Sequence, residues 1–334
     1  MSVYNGEKYL RDAIDSILNQ TYKDFVFVIY DDCSTDSSGE IIRSYADSRI
    51  VYRCNEVNQG LTRNLADGVE RAETDYIARM DADDIAYPER LQKQMEWMDE
   101  YKDVSILGTP VSYFHETPGD GGIAEQPADD ATIKATLFVS FTLMHPSIMI
   151  RKADLIKHGL NYNPEYRFSQ DHALYLDCIR AGLKFANMQE PLLYMRSHGE
   201  SISKAKHEYQ QEFSQKARLN FLKITGIDRD CSPEEIDAYN TFASGYYPET
   251  SSRVHLIESF VEKIDLNPNL DKYFNKSIVR RLMANKLCYG AYHAVDDKKT
   301  KKAAIEARKT HLIKYCDDWT TEMKIKFIVK RIIK

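Results

Sequence analysis

The run Phe25-Val26-Phe27-Val28-Ile29-Tyr30 is unbroken by any charged or small polar residue. A strand with one wet face alternates apolar and polar residues, so a continuous run marks a strand covered on both faces. Strands of that kind belong to mostly parallel sheets with helices on each side. The flanking chain agrees. Glu7 to Asn19 places Leu10, Ala13, Ile14, Ile17 and Leu18 on one helical stripe. Asp31 to Ser38 is a turn rich in capping residues, and a helix through Ile41-Ile42 follows. Ile50–Arg53 reads as a strand, Thr62–Arg71 as a helix and Tyr76–Met80 as the next strand. Pro88 then opens a helix lined by Leu91, Met95 and Met98, and Val104–Leu107 is a further strand. Such alternation predicts an α/β fold with a mostly parallel, Rossmann-like sheet flanked by helices. Ligands of these sheets bind beyond the C-terminal strand edges. Two acidic turns, Asp31-Asp32 and Asp81-Ala82-Asp83-Asp84, fall at that edge.

Residues 111–200 are less regular, and beyond about residue 200 the pattern is helical only. Ser232-Pro233-Glu234-Glu235 is a strong helix start, and Leu266-Asn267-Pro268-Asn269 a break. No apolar run reaches the roughly 18 residues that span a bilayer; the longest candidate, Leu137–Ile150, is interrupted by His145-Pro146. The first residues have neither the basic start nor the apolar core of a signal peptide. Six scattered cysteines without CxxC spacing suggest free thiols in a reducing cytosol. The net charge of −6 hides an asymmetry: residues 301–334 hold ten Lys/Arg against four Asp/Glu, leaving −12 on the rest. An acidic body with a basic tail excludes general nucleic-acid binding by the main domain and fits an enzyme whose tail meets an anionic surface. Residues 323–334 interleave Ile325, Phe327, Ile328, Val329, Ile332 and Ile333 with five cations. This tail is either a membrane-surface helix or a helix packed on the body with solvated lysines.

Three acids within four residues need a counter-charge if they are buried, and a divalent cation is the simplest, since hard cations choose oxygen ligands. Such a cation commonly serves a phosphate or diphosphate. The rival reading is a surface acidic turn in a chain with 51 acids. No G-x-G-x-x-G follows the first strand and no GxxxxGK[ST] occurs, so a nucleotide site here relies on acids and metal rather than a glycine nest.

Several motifs occur in a fixed order: Ser2-Val3-Tyr4-Asn5-Gly6-Glu7, Ile17-Leu18-Asn19-Gln20-Thr21-Tyr22, Asp31-Asp32-Cys33-Ser34-Thr35-Asp36, Asn58-Gln59-Gly60-Leu61-Thr62-Arg63-Asn64, Met80-Asp81-Ala82-Asp83-Asp84, His145-Pro146-Ser147, Gln170-Asp171, and Tyr194 to Ser203. Together they resemble a family 2 glycosyltransferase over residues 1 to about 203. The resemblance implies a GT-A fold that binds a nucleoside-diphosphate sugar, the uridine form in much of the family, and transfers the sugar with inversion. Asp32 would accept from the nucleotide base, with Ser2 and Tyr4 lining the same pocket and Arg63 near base or diphosphate. Asp81-Ala82-Asp83 would be the DxD motif: Asp83 would bind Mn²⁺ or Mg²⁺, and Asp81 would reach the ribose or a metal-bound water. Asp171 matches the catalytic base. His198 would sit over the diphosphate and touch metal, or be a plain surface histidine. His145 is a core or an acceptor-side histidine, and Arg196 holds either diphosphate or a local acid. Asp171 has a bland rival as a helix N-cap.

The family normally has a buried strand before the Ser2-Val3-Tyr4-Asn5 segment, and here most of it is missing. Its absence would expose two strand edges; we expect a natural start several residues upstream, or else an unstable chain with a damaged base pocket. The resulting expectation is a GT-A domain at 1–203 and a helical region at 204–334. The activity expected is an inverting, metal-dependent hexosyl transfer to a glycan or lipid-linked acceptor in polysaccharide synthesis, such as lipopolysaccharide or capsule. It would take place in the cytoplasm, peripherally on the inner face of the plasma membrane. The alternative is a non-catalytic nucleotide-sugar-binding or scaffold protein. A sugar-phosphate nucleotidyltransferase is disfavoured because its glycine-rich N-terminal loop is absent.

Overall fold

The computed structural model describes residues 1–197, 206–295 and 297–317. The chain forms two compact units, one of Met1–Ile133 with Thr142–Phe213, the other of Lys134–Phe141 with Ser214–Lys334.

In the first unit, β1 (Ser2–Val3), α1 (Leu10–Leu18), β2 (Phe27–Asp31), α2 (Ser38–Arg43), β3 (Ile50–Cys54), α3 (Leu61–Arg71) and β4 (Tyr76–Ala78) alternate as the sequence predicts. They are followed by β5 (Ile85–Ala86), α4 (Arg90–Glu100), β6 (Ile106–Gly108), β7 (Val111–Phe114), β8 (Ile123–Ala124), α5 (Asp130–Val139, which belongs to the second unit from Lys134 on), β9 (Met149–Arg151), α6 (Lys152–Lys157), α7 (Gln170–Arg180), β10 (Phe185–Asn187) and β11 (Leu193–Arg196). Three sheets result, ordered β1-β2-β3, β10-β6-β9-β4 and β5-β11-β7-β8. The first is wholly parallel, Ser2 lying opposite Tyr30 and Phe27 opposite Ile50. In the second, β6 and β10 are parallel, while β9 runs antiparallel to both β6 and β4.

The strand predicted over Tyr76–Met80 stops at Ala78, because its ladder with β9 ends at the Ala78–Met149 pair. Beyond it the Arg79 N–H still donates to Ile148 O at 3.0 Å, and the chain then turns into the acidic segment. The strands between 111 and 200 escape periodicity, since they are only two to four residues long.

The apolar stripe of α1 is the main seal of this unit. Leu10, Ala13, Ile14 and Ile17 are buried with Phe27 and Ile29 of β2, Ile41 and Ile42 of α2, and Leu193 of β11. Each fully buried Leu or Ile of this kind contributes about 1.5–3 kcal/mol relative to an exposed one. A second cluster packs Leu91 and Met98 of α4 on Leu107, Met149 and Ala186.

The second unit is helical: α8 (His207–Thr225) enters it, and α9 (Pro233–Ala243), α10 (Ser251–Leu266), α11 (Lys276–Ala294) and α12 (Lys301–Ala307) complete it. The predicted start of α9 is a full capping box. Ser232 Oγ accepts from Glu235 N at 3.2 Å, and Glu235 Oε2 accepts from Ser232 N at 2.6 Å. The predicted break follows Leu266, with Asn267 leaving the helix in an extended conformation. Tyr239 stacks on Phe260 with centroids 4.2 Å apart. Lys286 Nζ donates to the carbonyls of Ala243 at 2.8 Å and Val139 at 3.1 Å, two helix C-termini whose dipoles favour a cation. Burial pushes this lysine down to about 7. No helix among the described residues is long and apolar enough to cross a membrane.

Gln20, completely buried, ties α1 to the chain that follows the acidic turn. Its Nε2 donates to Tyr87 O at 2.7 Å and Ser16 O at 3.0 Å, and its Oε1 accepts from Leu91 N at 2.9 Å in the first turn of α4. Gln20→Met keeps the volume and strands those partners. It is expected to cost about 2 kcal/mol or more, read as a lower denaturant midpoint with an unchanged m-value.

Candidate active site

Strand register assembles the acidic turn. Pairing of β5 with β11 sets Tyr194 opposite Ile85, and two residues further along β11 the Arg196 N–H donates to Asp84 Oδ1 at 2.9 Å. Pairing of β11 with β7 sets Arg196 opposite Phe114. The Arg196 guanidinium lies between the Tyr9 and Phe114 rings, 4.3 and 4.4 Å from their centroids. It donates to the Asp83 carbonyl at 2.9 Å and to Asp12 Oδ2 at 3.2 Å. Of the two roles open to Arg196 in the sequence, the geometry is that of the local one: it clamps the turn and an acid of α1.

One oxygen from each of Asp81, Asp83 and Asp84 lies within 4.8 Å of the others. Asp84 is buried, and its Oδ2 has no hydrogen-bond donor among the described residues. Burial, reinforced by the neighbouring Asp81 and Asp83, raises the Asp84 carboxyl well above the ordinary carboxylate value. Burial also raises Asp81, against the pull of Arg79. An all-oxygen donor set with an orphaned buried carboxylate oxygen suits a hard divalent cation. The sequence reading took a divalent cation as the simplest counter-charge, and the structure adds a resident one. Arg79, only 7% exposed, donates from Nη1 to Asp81 Oδ2 at 2.7 Å and from Nη2 to Asp81 Oδ1. Buried Arg90 holds the Arg79 carbonyl at 2.6 Å, and burial pushes this second arginine down to about 10. An arginine in an apolar strand, two residues before an acidic turn, was the signal available.

Asp32 closes the second part of the site. Its Oδ1 accepts from Asn55 Nδ2 at 2.8 Å and Gln59 N at 2.9 Å, and its Oδ2 from Gly60 N at 2.8 Å. Gly60 has φ +86°, a conformation that favours glycine, and it caps α3. Asn55 Nδ2 also donates to Asn64 Oδ1, and Asn64 Nδ2 to Ser2 Oγ at 2.9 Å. Ser2 and Asp32 therefore share one polar network. Tyr4 is 53% exposed at the end of β1, and Arg63 is exposed in the first turn of α3. The Asn5–Glu7 and Ser34–Ser38 loops interlock. Thr35 N donates to Asn5 Oδ1 at 2.8 Å, Gly6 N to Ser38 Oγ at 2.9 Å and Ser37 N to Glu7 Oε2 at 2.9 Å. Asn64 closes the Asn58–Asn64 motif and Asn55 lies just before it; neither was singled out as a site residue.

Asp171 lies in the first turn of α7 and is not its N-cap, a position held by Ser169. Its Oδ1 accepts from His172 N at 2.8 Å. Burial raises its carboxyl above the ordinary value, Arg79 opposes this and Asp81 adds to it. His145 is buried with Nε2 2.8 Å from the Tyr162 hydroxyl. Burial, with Arg79 nearby, keeps it well below the usual histidine value and hence neutral. That is the core histidine of the two readings. His198 and the 323–334 tail lie outside the described residues.

The sequence model described as glycosyl transferase family 2 matches residues 1–159. A glycosyltransferase of Methanocaldococcus jannaschii is 37% identical over 206 residues, which are 59% of this chain and 69% of that protein. The O-antigen biosynthesis glycosyltransferase WbnJ of Escherichia coli is 31% identical over 228 residues, 67% of this chain and 87% of that protein. Among solved structures, residues 1–349 of S. aureus TarS superpose with a TM-score of 0.55 in complex with UDP and 0.57 with UDP-GlcNAc. Both are 15% identical and cover 92% of this chain and 89% of that one. At that identity the likeness speaks for the fold, which is GT-A. The chain belongs to glycosyl transferase family 2.

Proposed function

We propose that this chain is an inverting, metal-dependent glycosyltransferase. It would move a sugar from a uridine-diphosphate donor to a hydroxyl of a glycan or lipid-linked acceptor in cell-surface polysaccharide synthesis. The observation that carries this reading is the convergence of the Asp81, Asp83 and Asp84 oxygens within 4.8 Å. The UDP and UDP-GlcNAc complexes of TarS support the donor class, and the O-antigen role in the name of WbnJ supports the product class.

Tyr4 offers an exposed ring for the base, and the Ser2–Asn64–Asn55–Asp32 network fixes the pocket beside it. Asp83 and Asp81 form the DxD pair and, with Asp84, would hold Mn²⁺ or Mg²⁺, which stabilises the negative charge that develops on the diphosphate leaving group. Arg63, exposed in the first turn of α3, would meet the donor, and His198 would lie near the diphosphate. Asp171 takes the proton of the acceptor hydroxyl as the new bond from that oxygen to the anomeric carbon forms. The bond from that carbon to the diphosphate oxygen breaks, and the electron pair leaves with UDP. A hydroxyl has too high a pKa to attack unaided, so a positioned carboxylate contributes about 10²–10⁴-fold. The raised carboxyl of Asp171 makes it a better base than an ordinary aspartate.

Asp171→Asn separates this reading from a binding or scaffold protein. Transfer is expected to fall about 10²–10⁴-fold with UDP affinity retained. Because the folded-state value is raised, ionised Asp171 costs stability at neutral pH. The variant should therefore melt no lower than the wild type. A lower melting point with transfer intact would make Asp171 a structural residue. In the wild type, kcat/KM should decline as pH falls through the raised value, with a midpoint above the ~3.9 of an unperturbed aspartate.

The basic tail is assigned to contact with an anionic membrane surface. Deleting residues 323–334 should reduce co-sedimentation with phosphatidylglycerol vesicles and spare binding of UDP. Unchanged sedimentation would assign the tail to the protein body.

A further inference from the structure

We infer that Arg79 is a resident counter-ion of the acidic turn, holding Asp81 in place without metal and competing with the divalent cation for its charge. The inference rests on the metal reading of the preceding section and adds a residue that reading does not use.

Arg79 is fixed along its whole length. Its backbone N–H donates to Ile148 O at 3.0 Å, and its carbonyl accepts from Arg90 Nη2 at 2.6 Å. Both terminal nitrogens of its guanidinium are spent on the two oxygens of one carboxylate, that of Asp81. This is the planar fork that arginine makes and lysine does not. Its remaining Nε is buried without an acceptor among the described residues. A buried arginine with so little other bonding is retained by the charge it faces.

The three acids are not served alike. Asp81 is matched by Arg79, whereas Asp84 keeps a buried oxygen with no donor. Each Asp81 oxygen retains a second lone pair beside the one the guanidinium uses. A cation can share Asp81 with Arg79, but it then meets a positive charge across the same carboxylate. That repulsion weakens cation binding, while the arginine keeps the turn ordered before any cation arrives. The acidic turn is thus built to fold without metal and to bind it with less than its full electrostatic strength.

The test compares wild type, Arg79→Met and Arg79→Lys as full-length chains, with two readouts. One is the free Mn²⁺ signal in an electron paramagnetic resonance titration; the other is the melting temperature with and without Mn²⁺. Arg79→Met should lower the metal-free melting temperature, bind Mn²⁺ about ten-fold more tightly from the lost repulsion, and recover a larger part of its stability on adding Mn²⁺ than the wild type gains. Arg79→Lys should keep an affinity close to wild type. If Arg79→Met proves too unstable to titrate, Arg79→Met/Asp81→Asn is used, which removes both charges. It should be more stable than Arg79→Met alone, because the pair is coupled. Equal or weaker Mn²⁺ binding in Arg79→Met, or a double variant no more stable than the single, would overturn the inference and leave Arg79 a packing residue. Absence of Mn²⁺ binding by folded wild type would overturn the metal reading itself, and this inference with it.

Discussion

Carboxylates gathered at one sheet edge repel one another and resist burial, and the first unit is organised around answering that cost. Arg79 meets Asp81 with a two-point fork, Arg196 meets the Asp83 carbonyl and presents its N–H to Asp84, and Arg90 braces the carbonyl of Arg79. Among the described residues, the buried Asp84 Oδ2 is left without a donor. A full set of arginine partners would have produced an inert structural cluster. The incomplete set leaves room for a cation, and that incompleteness links the fold to chemistry.

Delivery of these groups depends on register more than on loop length. The β5–β11–β7 pairings place Arg196 beside both Asp84 and Phe114, and a one-residue slip would turn Arg196 to the opposite face. The α1 helix locks that arrangement from behind. Ser16 Oγ accepts from Ala86 N, Gln20 grips Tyr87 and Leu91, and the apolar stripe seals the sheets. The Asp32 side is built differently, from an amide and backbone N–H groups that converge on its carboxylate.

Much of this was legible in the sequence because it rests on local pattern. The apolar run before Asp31, the α1 stripe, the capping box at Ser232 and the order of the acidic turns each follow from periodicity or turn chemistry, and the ordered motifs gave the family. Arg79 was missed because a buried cation in a short strand looks like any apolar run with one charged interruption, and its partner is identified only once the strand ends at Ala78. Asn55 and Asn64 were passed over as site residues because their contacts with Asp32 and Ser2 join segments far apart in sequence. The N-cap reading of Asp171 failed for a local reason: Ser169, in a left-handed conformation, takes the cap and leaves Asp171 in the first turn.

The central claim is that the acidic turn holds a divalent cation for the diphosphate of a uridine nucleotide. Calorimetric titration of UDP into the full chain and into Asp83→Ala, each with and without Mn²⁺, tests it most directly. The account predicts that Mn²⁺ strengthens UDP binding to the wild type and that Asp83→Ala loses this increment while keeping the weaker metal-independent binding through the base pocket. UDP binding indifferent to Mn²⁺ in the folded wild type, or an increment that survives in Asp83→Ala, would contradict it.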